Sequence, residues 1–280
     1  MDFLERRQPL RSSEGKSGEG DESPKNKEEN IEEQANYQGN DSLLLFERLS
    51  NPVIRGQIVE LLYEAEKAEA GLPRQLVTRD AAGNFDLTKT EPYKPQSREE
   101  IERTFEENLA QIQTSTAIHY TKEGGDVDSI PIGLELHGKK VDAKYMSAVE
   151  AHEKGHRIRP YNSNFLDAYF SSGFDFDAMS LTAEEMLVYK RIHPTRTEAE
   201  ISGLVKESLS TAVEIAERMS QLKNYFGFRG DEEFTSAHLA YARVHYFEDT
   251  GIDNGMRQFF QAITPKTESE FLRLINSSGI

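Results

Sequence analysis

The sequence predicts an α+β fold, in which a small antiparallel or mixed sheet packs on one central helix and a mainly helical half follows. Three observations carry that expectation. Strand-like stretches are confined to the part of the chain before residue 140, where Ile130, Ile132, Leu134 and Leu136 alternate with Pro131, Gly133 and Glu135, the pattern of one buried face. After residue 142 apolar residues recur at helical spacing between recognisable caps. At 280 residues, with a polar N-terminus set aside, the chain suffices for one medium domain with a helical extension.

Residues 1–41 read as a disordered acidic and polar tail, because a run of Ser, Gly, Glu, Lys, Asn and Gln buries too little apolar surface to offset its ordering entropy. Order is expected from Leu43. A helix over 53–64 puts Ile54, Ile58, Leu61 and Leu62 on one face and ends before Gly71 and Pro73. A hairpin is expected from 75–78 and 85–88, turned through Asp80 to Asn84, and a helix capped by Ser97 runs to about Gln113. Strands are expected at 116–121 and 130–136, the second pushed toward a sheet edge by Pro131 and Gly133. The aromatic segment 161–174 is a candidate wall or lid of a cleft. Helices then follow over about 182–193, where Thr182 and Glu185 have the capping-box form, and over 197–209, 210–226, 235–248, 254–263 and 268–275. Residues 42–280 thus form a single domain, with 228–280 as its helical extension.

Composition excludes several functions. A net charge of −16 lacks the basic stripes that phosphate neutralisation needs, so nucleic acid is not an expected partner. No apolar run approaches membrane-spanning length, and the first residues are not a secretory signal, so a cytoplasmic location without membrane attachment is expected. With no Cys, any metal must be held by His and carboxylate.

One motif organises the rest. His152-Glu153-Lys154-Gly155-His156 is an HExxH pattern on a helix expected from about Asp142, its N-cap, to Arg159, with Pro160 as the stop. Two His four residues apart share a helix face and can converge on one tetrahedral metal. Glu153, one step round, can reach a water at that metal without ligating it, the position of a general base in a zinc hydrolase. His238 and His245, seven apart and without a neighbouring acid, read instead as packing or surface residues.

The stretch from Val149 to His156 resembles the motif of the HExxH zinc metallopeptidases, the zincins. The resemblance implies a zincin-like fold, Zn2+ on His152 and His156, Glu153 as the base, and a peptide or protein substrate. Those peptidases usually have an uncharged residue where this chain has Lys154, a position that can face solvent. A catalytic zinc needs a third protein ligand. The metzincin extension would place Gly at 159 and His at 162, where this chain has Arg159 and Asn162, leaving the gluzincin arrangement with a Glu from a later helix. The candidate helix over 210–226 has an apolar stripe of Ile215, Met219, Leu222 and Phe226, with Gly227 as its C-cap. At about 100° per residue Glu214 lies beside that stripe and Glu217 nearly opposite, toward solvent, so Glu214 is the expected ligand and Glu217 the alternative. Arg218 and Gln221 flank Glu214 and can hydrogen-bond its carboxylate. This Glu helix is loosely similar to that of the ImmA/IrrE-type minimal peptidases. In zincins the edge strand pairs with substrate, which the resemblance carries to 130–136. For polarising an oxyanion the chemistry offers Tyr189, His193, Tyr225 and His119.

The expected activity is therefore zinc-dependent peptide-bond hydrolysis. The competing expectations are a catalytically inactive zincin-like structural or regulatory protein, and a metal-dependent hydrolase of a non-peptide substrate.

Overall fold

Among the described residues, helices form the packed layers. The computed structural model describes residues 31, 35, 37–75, 78–79, 85–86, 90–114, 119–120, 127–128, 135–136, 139–140, 143–251 and 255–280. In chain order these hold α1 (Asp41–Ser50), α2 (Pro52–Glu69), β1 (Pro73–Gln75), β2 (Thr78–Arg79), β3 (Phe85–Asp86), β4 (Thr90–Pro92), α3 (Arg98–Thr114), β5 (His119–Tyr120) and β6 (Val127–Asp128). There follow β7 (Glu135–Leu136), β8 (Lys139–Lys140), α4 (Ala143–Ile158), α5 (Asn164–Ser171) and a 3-10 turn, Phe176–Ala178. The chain ends in α6 (Ala183–Ile192), α7 (Glu198–Leu209), α8 (Ala212–Tyr225), α9 (Ser236–Thr250), α10 (Met256–Ala262) and α11 (Glu268–Ser277).

The expected α+β architecture is corrected by this arrangement, which is mostly helical. Among the described residues the strands are two or three residues long, and each has one antiparallel partner: β1 with β4, β2 with β3, β5 with β6 and β7 with β8. A pair of two strands presents no continuous face for a helix to cover. Pro73 and the whole of β4 are solvent-exposed, so that ribbon buries nothing at its open end. Of the alternating segment 130–136, the described residues are Glu135–Leu136, which are strand; the rest of it, the hairpin turn, the expected tail up to Asn30 and the expected N-cap Asp142 lie outside the described residues. Ile31, Ala35 and Tyr37 join the hydrophobic cluster and Asp41 is buried at the start of α1, so the expected tail boundary at 41 is set too late.

The helix boundaries follow local chemistry. The Asn51 side chain caps α2 by accepting from the Val53 amide at 2.8 Å, and Pro52 occupies the first turn, where no donor is missed. Capping boxes at Thr182/Glu185 and Thr197/Glu200 start α6 and α7. Between α7 and α8 the chain breaks at Ser210 and Thr211, and the Asp167 carboxylate accepts from the first amide of α8 at 2.7 Å. Gly227, at φ +72°, ends α8 in the left-handed conformation that a Cβ would oppose, and the Phe228 amide returns to the Lys223 carbonyl at 3.0 Å.

Helix α8 is the axis of the core, packed by α1, α4, α5, α7, α9 and α11. Ile215, Met219 and Leu222 are fully buried, each contributing about 1.5–3 kcal/mol by removal from water. The segment expected as a lid is part of this core: Tyr161, Leu166, Phe170 and Phe174 are buried among the same side chains. So are Phe234, Tyr246, Phe259, Phe271 and Leu274 from the C-terminal helices, which share one hydrophobic cluster with α1, α4 and α8. Among the described residues no helix is long and apolar enough to cross a membrane.

Candidate metal centre

Helix α4 presents the HExxH residues to the N-terminal turn of α8. One turn of α4 separates His152 and His156, whose rings meet edge to face with centroids 4.5 Å apart. Both point Nε2 at one carboxylate: His152 Nε2 lies 3.4 Å from Glu214 Oε2, and His156 Nε2 lies 3.3 Å from Glu214 Oε1. The donor atoms of the three residues all fall within 4.8 Å of one another. His152 is buried, while His156 and Glu214 keep 22% and 24% of their side chains exposed, so the cluster is reachable from solvent on one side.

These separations bear on what the cluster is for. A charge-assisted hydrogen bond closes to about 2.7–2.9 Å. The two distances run to different oxygens of the Glu214 carboxylate; what suits Zn2+ is the donor set, two imidazoles and one carboxylate whose ligand atoms lie within 4.8 Å of one another. In donor chemistry and proximity the residues fit the metal. The Nδ1 atoms of both His are buried with no hydrogen-bond partner among the described residues, so the tautomer is not fixed from behind.

Charge is concentrated on the same atoms. Burial favours the neutral acid at Glu214, but contacts from His152 and His156 and the Arg218 charge outweigh it and hold the carboxyl far below the usual range. Burial likewise opposes a proton on His156, yet the Glu214 contact and the charges of Glu217, Glu214 and Glu153 raise it above the ordinary imidazole value. A metal at this nitrogen would have to displace that proton. Arg218 Nη2 reaches Glu214 Oε2 at 3.5 Å and Nη1 reaches Gln221 Oε1 at 3.4 Å, so of the two expected flanking residues Arg218 touches the carboxylate and Gln221 touches Arg218. Glu153 is half-buried next to His152 and close enough for its charge to act on His156.

Two expectations are overturned. Glu217 does not face solvent: it is 1% exposed, because α8 is surrounded and every residue from Ile215 to Tyr225 is buried. Its carboxylate is taken by Arg159, with Nε to Oε1 at 3.1 Å and Nη2 to Oε2 at 2.6 Å. Lys154 is buried as well, its ammonium 5.5 Å from the centre of the Phe46 ring and paired with Glu150 one turn earlier. It turns toward α1 and away from the two His.

Of the groups considered for an oxyanion, Tyr225 stands eleven residues beyond Glu214, about 16 Å along the helix, and donates its hydroxyl to Asp249. Tyr189 is half-buried on α6, where burial and the Glu185 charge raise its phenol against the opposing Arg218 charge. His193 caps the end of α6, and the His119 side chain lies outside the described residues. His238 accepts from the Thr235 amide at 3.0 Å among Phe226, Phe228 and Phe234, and His245 stacks on Tyr241, so both are packing residues.

The residues that sequence reasoning missed are Arg159 and Gly155. Their signals were present: a Gly in a helix interior marks a close approach, and Arg159 stands one turn beyond it. No protein-family model matches the chain, and neither the curated proteins nor the solved structures give a significant match.

Proposed function

We propose that this chain is a zinc-dependent peptidase whose metal is held by His152, His156 and Glu214. The observation that carries the reading is the convergence of both Nε2 atoms on the two oxygens of one carboxylate at 3.4 and 3.3 Å, beside a half-buried Glu153. When bound, zinc supplies Lewis acidity that makes water a better nucleophile and the scissile carbonyl a better electrophile. The Glu153 carboxylate accepts a proton as the water oxygen bonds to the carbonyl carbon, and delivers it to the amide nitrogen as the C–N bond breaks. Arg218 keeps Glu214 ionised and oriented toward the two rings. The substrate is a peptide or protein, and the place of action a cytoplasm.

The test is Glu153→Gln, assayed on a mixed peptide library alongside zinc content. Zinc retained at the wild-type level with hydrolysis reduced by about 100-fold or more supports the reading. Hydrolysis unaffected by the substitution removes Glu153 from the reaction, and wild-type protein that binds zinc without cleaving any peptide favours the inactive, regulatory alternative.

A further inference from the structure

The contact between α4 and α8 has a second fixed point beside the metal ligands. At Gly155 a Cβ would fall 1.9 Å from Glu217 Oε2 and 2.2 Å from Glu217 Cδ, so the carboxylate is laid directly against the backbone of the motif helix. Only Gly admits it there. One turn further along α4, Arg159 closes over that carboxylate as a two-pronged fork, and its third donor, Nη1, reaches the Gly279 carbonyl at 3.0 Å. The pair is 0% and 1% exposed.

A buried ion pair of this kind contributes little net stability, because removing both charges from water offsets their attraction. What it does supply is register. A fork with two parallel hydrogen bonds tolerates little sliding or rotation, and Gly155 adjoins His156 while Glu217 follows Glu214 by three residues. Displacing one helix by a single residue, about 1.5 Å, breaks the fork and carries Glu214 away from both rings. The same fork occupies the second carboxylate of α8, which would otherwise lie loose beside His156.

Resting on the metal reading above, we infer that the Arg159–Glu217 pair, seated in the Gly155 notch, is the positioning device of the centre: it sets the register of α4 against α8 and withholds Glu217 from the metal. Neither residue touches the metal or the substrate.

The experiment compares wild type with Arg159→Met/Glu217→Met, in which neither charge is left unpaired. Urea unfolding, zinc affinity by competition with a chelator, and the visible spectrum of the Co(II)-loaded protein are read for both. The inference predicts a double variant that folds, binds zinc about 10- to 100-fold more weakly, and shows an altered Co(II) spectrum. Unchanged zinc affinity and an unchanged spectrum overturn it, because the pair is then only structural. Should the double variant not fold, Arg159→Lys serves, keeping the charge and losing the fork, and wild-type zinc binding there overturns the inference equally. Wild-type protein that takes up no zinc sinks the metal reading and this inference together, whereas wild-type zinc binding with an indifferent double variant sinks the inference alone.

Discussion

Glu214 and Glu217 stand three residues apart on one helix and meet the same partner helix, yet their surroundings are opposite. At Glu214 the interface is open: a quarter of the side chain is exposed, and its neighbours are two imidazoles at 3.4 and 3.3 Å and the Arg218 guanidinium at 3.5 Å. At Glu217 it is sealed, with a guanidinium fork at 3.1 and 2.6 Å, a Gly notch and no solvent. The difference separates two uses of a buried carboxylate. On the metal reading, one is left open to a cation, while the other is satisfied fully by its guanidinium fork.

The contrast yields a ranked set of outcomes. Arg159→Ala strips the sealed end of its counter-charge and should lower stability by about 3–5 kcal/mol in urea unfolding, the effect of an uncompensated buried carboxylate. A loss under about 1 kcal/mol would mean that Glu217 escapes to water, and the contrast would fail. Lys223, also buried on α8, tests the sealed end by pH. Burial, reinforced by Arg48, lowers its ammonium from 10.5 to about 7. Between about 7 and 10.5 the unfolded chain then carries the proton that the folded one lacks, so the destabilisation from Lys223 is complete below pH 7 and fades as pH rises through that window. Lys223→Met should therefore be more stable than wild type at pH 7 by on the order of a few kcal/mol, with the advantage shrinking toward pH 10.5.

Gly155→Ala places a methyl on the Glu217 carboxylate and should cost about 1–3 kcal/mol, with zinc affinity falling alongside. The smallest effect is the control. Thr182→Ala and Thr197→Ala each remove a helix cap on α6 or α7, should cost about 1 kcal/mol, and should leave zinc affinity unchanged. If losing a distant cap weakens zinc as much as losing the fork, then stability and not register governs the site.

Much of the centre could be read from the chain. The spacing of His152 and His156 places them on one face, and the angular argument from Ile215, Met219 and Leu222 selects Glu214, which the structure brings to both rings. The same argument fails for Glu217, because it takes the face opposite the apolar stripe to be solvent. In α8 that face carries Glu217, Ser220 and Lys223, which look like surface residues until their partners are known. Arg159, just past the end of α4, and Arg48 of α1 are far away in sequence, with Arg48 donating to the Ser220 hydroxyl at 2.8 Å and the Phe228 carbonyl at 2.9 Å. Polar identity reports hydrophobicity but not pairing, and pairing decides burial here. The sheet failed for a related reason: the alternation of Ile130 to Leu136 describes one face of a strand but not whether a second partner exists to build a layer.

The most direct measurement is the zinc content of purified protein by mass spectrometry, for wild type, His152→Ala, Glu214→Ala and Glu217→Gln. The proposed reading predicts about one zinc per chain in wild type, its loss in the first two variants, and a weakened but detectable site in the third. Wild type without zinc after zinc is supplied, or zinc retained when Glu214 is removed and lost only when Glu217 is changed, would contradict the assignment of the metal to His152, His156 and Glu214.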